Sequence, residues 1–283
     1  MKIRLEEARD WREAEELTRE AFWNVYRPGC TEHYVLHRYR SDPAFVPELD
    51  FVMEGEDGRL VGNVMFSKAE LALEDGTAFP VWTFGPIGIR PDRKRQGLGL
   101  RLLLHALEAA RGLGVGALCM EGNIEFYKHA GFGLASRMGI RYHAEPPDAE
   151  VPYFLARELV PGYLRGIRGT YRPPRGYFVA EEDPGGFAAF EATFPAREKA
   201  LAEGQLPQFC QSCGRRLVRN GDCGTGADGR IDFDYCRDCF AGGRFLRECT
   251  MEEMVGHCVE QGGDRRQLEE FLPMLKRWRG RGG

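Results

Sequence analysis

Two rhythms of apolar and polar positions run along this chain of 283 residues. Residues 2–8 read as a short strand, and a helix follows from Asp10, whose D-W-R-E run offers Asp10 as a side-chain cap with Glu13 reaching back. Trp11, Ala14, Leu17, Ala21, Phe22 and Val25 recur at the spacing of a single helix face. The aromatic-rich stretch FWNVYRPGCTEHYVLHRYR then reads as an amphipathic helix or a loop lying over the core. From Phe51 the rhythm shortens. FVMEG, LVGNVMF, AELAL and FPVWTFGPIGI form an expected antiparallel meander, with Asp57-Gly58 and Asp75-Gly76 as hairpin turns. A helix is expected from Leu98 to Arg111, with Leu100, Leu103, Leu104, Leu107 and Ala110 as its apolar stripe. The near-continuous run VGALCM reads as a buried strand, and PYFLAREL supplies another. Near the end Leu268, Phe271, Leu272, Leu275 and Trp278 mark a helix that Pro273 should bend, expected to pack on the C-terminal part of the chain or on the longer part before it.

The cysteines divide the chain. Seven of nine lie between Cys210 and Cys258, and the Gly/Pro-containing stretch EGQLPQ precedes them. The expected domains are therefore residues 1–205, of α+β class, and a small cysteine-rich unit at 206–283. Charge separates the parts only weakly, with 26 basic against 31 acidic residues up to position 204 and 13 against 12 beyond. Neither part has the positive field that nonspecific nucleic-acid binding needs, so a nucleic-acid partner is disfavoured. No run of about 18 apolar residues exists, which argues against a membrane partner. The charged N-terminus lacks the apolar core of a signal peptide, so a cytoplasmic location is expected, where paired cysteines read first as metal or redox groups.

Candidate chemistry begins after Pro91. In IGIRPDRKRQGLGLRLLLHALEAAR a strand ends, basic residues follow, and Gly97-Leu98-Gly99 opens a helix. Unpaired amides and the dipole at a helix start suit a phosphate, and glycines let it approach the backbone. Position 102 is Leu where a dinucleotide turn needs a third glycine, and Leu100-Arg101 cannot serve as the Lys-Ser/Thr of a nucleotide-phosphate loop. Taken alone, the turn reads first as an ordinary strand-to-helix connection.

The wider pattern narrows this. Ile89-Arg90-Pro91, then Lys94-Arg95-Gln96-Gly97-Leu98-Gly99, resembles the acetyl-CoA loop of the GNAT superfamily of N-acetyltransferases, with Lys94 standing where Arg or Gln is usual. About 30 residues later EGNIEFYKHAGF resembles that family's Tyr-x-x-x-Gly-Phe segment, and the resemblance spans roughly residues 1–200. It implies a mixed, mostly antiparallel sheet with flanking helices and a parallel, splayed strand pair. Pro86, Gly85 and Gly88 give a local reason for the splay, since they weaken the ladder. It further implies that acetyl-CoA is the cosubstrate. The Ile87 amide would polarise the thioester, Ile89 would bond the pantetheine arm, and the amides of Arg95, Gln96, Gly97, Leu98, Gly99 and Leu100 would hold the pyrophosphate, with Lys94 keeping the charge of the loop's first cofactor-binding position. Tyr127 would be the general acid that protonates the departing thiolate after direct attack by an amine. Trp23, Asn24, Tyr26, Glu32, His33 and Glu121 are the candidate acceptor-side residues, with Glu121, His33 and Glu32 as alternatives for the base. A small-molecule primary amine is the expected acceptor ahead of a protein, and a homodimer is compatible with the sequence.

Cys210-x-x-Cys213 and Cys236-x-x-Cys239, 22 residues apart, have the spacing of two knuckles that bring four thiolates to one tetrahedral, structural Zn²⁺. A redox pair is the alternative. So small a unit cannot bury a sufficient core, and the metal should supply folding energy. The segment FCQSCG…GTGADGRIDFDYCRDCF…TMEEM resembles a bacterial zinc-ribbon module. Cys249, before a helix capped by Thr250 and Glu253, and Cys258, within it, are expected as packing residues. Cys223 is expected to pack as well, and is the substitute ligand should one of the four be replaced. Two functions follow: an acetyl-CoA-dependent N-acetyltransferase with a zinc-ribbon appendage, or a CoA-sensing binding protein whose ribbon recruits a protein or nucleic acid.

Overall fold

A computed structural model defines residues 1–143, 145, 150–199, 208–217, 220–227, 229 and 231–278. The break expected within EGQLPQ and the last basic residues of the C-terminus lie largely outside these described residues. The chain divides into two compact units, one of Met1–Phe22 with Thr31–Ala196 and one of Trp23–Cys30 with Arg197–Gly283.

The first unit is built on a nine-stranded sheet. Strands β1 (Lys2–Leu5), β2 (Phe51–Glu54), β3 (Leu60–Leu73) and β4 (Ala78–Ile89) run antiparallel in that order, and the two Asp-Gly turns place Gly58 and Gly76 at φ +77° and +82°. LVGNVMF and AELAL are one 14-residue strand, because both edges of β3 are occupied: β4 pairs along most of its length, and β9 joins its far end. The remaining strands are β5 (Ala117–Glu121), β6 (Gly133–Leu134), β7 (Ile140–Tyr142), β8 (Phe154–Glu158) and β9 (Gly169–Tyr171). β5 pairs antiparallel with β8 over five positions, while β7 and β9 form a second parallel pair.

Helix α1 (Trp11–Phe22) starts one residue after the expected cap. Asp10 instead accepts from Glu7 N at 2.9 Å and pairs with Arg4, closing a preceding turn at Ala8–Asp10. Glu13, freed from capping, accepts from Leu60 N at 2.9 Å and ties α1 to β3. Helices α2 (Glu32–Tyr39) and α3 (Leu98–Gly112) follow. The buried face of α3 is Leu98, Leu102, Leu103, Ala106, Leu107 and Ala110; Leu104, expected inside, is exposed. The alternate steps of three and four keep that face on one stripe, and Leu104 falls a full residue past it. One apolar cluster fills the α3 side of the sheet through Phe66, Phe84, Leu102, Leu118 and Phe132; a separate one packs Val81, Cys119, Phe154 and Tyr171 together.

Three short helices complete the unit, α4 (Ile124–Tyr127), α5 (Val179–Glu182) and α6 (Pro184–Glu191). Glu191 closes α6 by binding two buried groups: Arg19 bonds Oε1, and the His33 ring lies 2.8 Å from Oε2. Burial alone would raise the Glu191 pKa, but the hydrogen bonds from His33 and Arg19 outweigh it and bring it down to about 2. Because the folded value is depressed, the stabilisation is complete above the ordinary carboxyl range and is lost as pH falls toward 2. Between pH 5 and 2, urea unfolding should cost the wild type about 2–3 kcal/mol more stability than it costs a Glu191→Gln variant. Equal losses would contradict this role.

The second unit is a stack of short hairpins. β10 (Gln208–Phe209) pairs β11 (Arg216–Leu217), β12 (Cys223–Thr225) pairs β13 (Ile231–Cys236), and β14 (Phe240–Ala241) pairs β15 (Arg244–Phe245). Helix α7 (Met251–Glu260) opens with the expected capping box, in which Glu253 N donates to Thr250 Oγ1 and Thr250 N donates to Glu253 Oε2. Helix α8 (Arg265–Phe271) ends just before a turn at Leu272–Met274 that contains Pro273. Met254, Val255, Leu272, Leu275 and Trp278 pack with the cysteines into the unit's own core. Among the described residues no helix is long and apolar enough to cross a membrane.

Candidate active site and metal centre

β4 and β5 touch through a single parallel pair, Trp82 opposite Leu118, and diverge beyond it. On its other edge β4 stays paired with β3 to Ile89, with a register shift between Val64 and Phe66 where the Gly85-Pro86 segment, a cis peptide bond, lies opposite. Arg90 N donates to Val61 O at 2.8 Å. Amide direction alternates along a strand, so the N–H groups of Ile87 and Ile89 point away from β3 and into the gap toward β5.

At the end of this gap the chain turns into α3. Gly97 adopts φ +76° as the residue before the helix, and Arg95 also has positive φ, at 61°. The first helical bond runs from Arg101 N to Gly97 O at 3.0 Å, which leaves the amides of Leu98, Gly99 and Leu100 as orphan donors. The first turn contains no acidic residue and no side-chain cap. Lys94 donates through Nζ to Ala21 O at 2.9 Å at the end of α1, and desolvation there lowers its pKa. Gln96 and Arg95 are exposed. A methyl group at Gly99 would lie 3.5 Å from both Ile89 and Phe126, ordinary contact distances, so the protein itself does not demand glycine at this position.

Tyr127 reaches both sides of the opening. Its ring stands edge-on to Phe84 of β4 at 5.9 Å, and a side chain on Gly122, the residue after β5, would collide with it. Phe126 and Phe132 close the ring in at 4.8 and 5.9 Å. The local sequence explains the placement: Asn123 caps α4 by accepting from Glu125 N, and Gly131 at φ +76° turns the chain back so that Phe132 N reaches Tyr127 O.

Glu121, the last residue of β5, accepts from the Tyr142 hydroxyl at 2.8 Å. Desolvation raises its pKa, opposed by that hydrogen bond, although the residue keeps exposed surface. The other acceptor-side candidates divide between the two units. His33 is fully enclosed by Phe187, Phe190 and Phe194, and Glu32, at the start of α2, accepts from Thr31 N. Trp23, Asn24 and Tyr26 belong to the second unit; Trp23 Nε1 donates to Glu198 O, Asn24 and Gly29 close a tight loop, and Tyr26 is exposed. Tyr142 ends β7, Tyr153 precedes β8 and Tyr177 follows β9, and no spacing in the sequence marks the three as a set.

In the second unit the ligand atoms of Cys210, Cys213, Cys236 and Cys239 lie within 4.8 Å of one another. Gly214, at φ +74°, and its bond to Cys210 O fold the first knuckle; Cys239 N to Cys236 O folds the second. Tetrahedral sulfur ligands at about 2.3 Å from zinc require sulfur–sulfur edges of about 3.8 Å. Cys213 Sγ and Cys236 Sγ are 3.8 Å apart, so the donor set fits Zn²⁺. The Cys236 amide donates to Cys210 Sγ at 3.2 Å, the kind of bond that steadies a thiolate. Cys223 is buried opposite Cys236 in the β12–β13 register, Cys258 donates to Cys213 O, and Cys249 receives Arg277.

Residues 8–132 match the model of the acetyltransferase (GNAT) family, and residues 209–279 match the model described as "Putative zinc ribbon domain". The chain thus carries a GNAT acetyltransferase domain followed by a zinc-ribbon domain. Among solved structures it is similar to a GNAT family N-acetyltransferase (YhbS) from Escherichia coli in complex with CoA, at 23% identity and TM-score 0.53, over 62% of this chain and 91% of that one. A GNAT family acetyltransferase from Brucella melitensis in complex with acetyl-CoA is also similar, at 22% identity and TM-score 0.49, over 62% and 97%. The first likeness is one of fold. No curated protein matches the chain.

Proposed function

We propose that the protein transfers the acetyl group of acetyl-CoA to a primary amine, in the cytoplasm, with a small molecule as the acceptor. The observation that carries this reading is the gap between β4 and β5, with the Ile87 and Ile89 amides facing into it and the start of α3 at its end. An extended pantetheine arm would complete the missing strand pairing. The orphan amides of α3 would hold the pyrophosphate, helped by a first turn without acids. The E. coli structure of the same fold was solved with CoA. Ile87 N–H would polarise the thioester carbonyl, and Tyr127, lying across the opening, would protonate the departing thiolate. The ribbon is a metal-held appendage. A CoA sensor that recruits a partner through its ribbon would need no general acid, and Tyr127's place across both strands favours the enzyme.

Gly99→Asp tests the cofactor site. The fold has room there, and an acid in the first turn favours the helix itself, so the variant should stay folded. Its carboxylate would face the pyrophosphate, and calorimetry should show acetyl-CoA affinity at least tenfold weaker. Unchanged affinity would place the cofactor elsewhere.

A further inference from the structure

Glu121 stands in an aromatic shell. Among the described residues no lysine, arginine or histidine forms an ion pair with it. Tyr142 donates to its carboxylate, and the Tyr153 ring stands edge-on to Tyr142 at 5.7 Å while its own hydroxyl donates to Glu145 at 2.8 Å. Tyr171 lies behind, 6.5 Å from Tyr142 and stacked on Phe154, the residue opposite Glu121 in the β5–β8 register. Tyr177 donates to Gly85 O on the diverging part of β4. Burial first raises the pKa of Tyr142, Tyr153, Tyr171 and Tyr177, with the charge of Glu121 next at Tyr142 and the hydrogen bond to Glu145 next at Tyr153, so all four stay neutral. His143, beside Tyr142, is held toward its neutral form by desolvation and by Arg172. Glu121 and Glu145 are therefore the negative charges of this tyrosine shell, and Arg172 is the positive charge that acts on its His143 side.

A carboxylate among aromatic faces attracts a cation and repels an anion. Glu121 also ends the strand that forms one side of the opening where the acetyl group would lie. We propose that Glu121, Tyr142 and Tyr153 form the acceptor's ammonium site, with Glu145 beyond them, and that the acceptor is a primary alkylamine with no carboxylate near the reacting nitrogen, best served by a second cationic group. This assignment rests on the acetyl-transfer reading above. In the reaction the bound R–NH₃⁺ gives one proton to the Glu121 carboxylate, and the freed lone pair attacks the thioester carbonyl. The carbon–sulfur bond breaks with its electron pair leaving on sulfur, and the thiolate takes the Tyr127 proton. The new amide nitrogen sheds its extra proton through solvent to Tyr127, and Glu121 returns its own to water. Tyr142 is a positioning residue that orients the carboxylate.

The test compares 1,4-diaminobutane, butylamine and 4-aminobutyrate as acceptors for the full-length protein, with acetyl-CoA affinity measured in parallel. The expected kcat/KM order is diamine, then monoamine, then amino acid, with at least tenfold between the first and last. Glu121→Gln should lower kcat/KM for the diamine at least 100-fold and leave the acetyl-CoA Kd unchanged. Tyr142→Phe should act mainly on the amine KM. Equal use of 4-aminobutyrate and butylamine, or full turnover by Glu121→Gln, would overturn the assignment while leaving acetyl transfer intact. Acetyl-CoA bound with no amine acetylated would overturn the transfer reading, and this assignment with it.

Discussion

Replacing Cys236 with serine, or chelating the metal, is expected to unfold residues 209–278 with a loss of about 10 kcal/mol of folding free energy in that unit. Four thiolates within 4.8 Å are the centre around which three two-stranded hairpins are arranged, and none of these hairpins buries much by itself. The surrounding cluster of Met254, Val255, Leu272, Leu275 and Trp278 packs on the cysteines, so losing the centre removes the floor of that core. The C-terminal segment is fastened to the first knuckle by Trp278 Nε1 to Ser212 O at 2.7 Å and Arg277 to Ser212 Oγ at 2.9 Å. It should become exchangeable together with the knuckle. Metal analysis should give one zinc per chain, and hydrogen exchange should show protection lost across α7 and β13. The first unit has separate apolar clusters and should keep its protection. A zinc-free protein with the second unit still protected would contradict the site.

Tyr127→Phe carries the second large expectation, a fall in kcat of about 10²- to 10³-fold with acetyl-CoA affinity retained. The ring is held by Phe84, Phe126 and Phe132, contacts that phenylalanine can reproduce, so the loss isolates the hydroxyl. Steady-state kinetics beside calorimetry separates this outcome from a packing defect, which would weaken affinity and stability as well. Undiminished kcat would remove Tyr127 from the chemistry.

The legible parts of the molecule were those written in local sequence. The Asp-Gly turns, the Gly97 turn into α3, the Thr250 capping box and the Cys-x-x-Cys knuckles are each set by residues within a few positions of one another, and the structure contains each of these local features. Long-range effects were hidden. The cap at Asp10 moved because Arg4 and Glu7 claim its carboxylate, and β3 is continuous because β9 returns from about 100 residues later to pair with it. The aromatic shell of Glu121 is hidden for the same reason. Tyr142, Tyr153 and Tyr171 meet only because β7, β8 and β9 converge, and no periodicity in the chain announces their meeting.

The claim on which the rest depends is acetyl transfer at the gap between β4 and β5. Its most direct measurement is mass-spectrometric detection of product after zinc-loaded protein is mixed with acetyl-CoA and a primary amine, with free CoA thiol counted alongside. The account predicts acetylated amine and CoA in equal amounts, with formation of both slowed by Gly99→Asp and by Tyr127→Phe. Saturable acetyl-CoA binding without any acetylated amine would contradict it and would leave a CoA-binding protein in place of an enzyme.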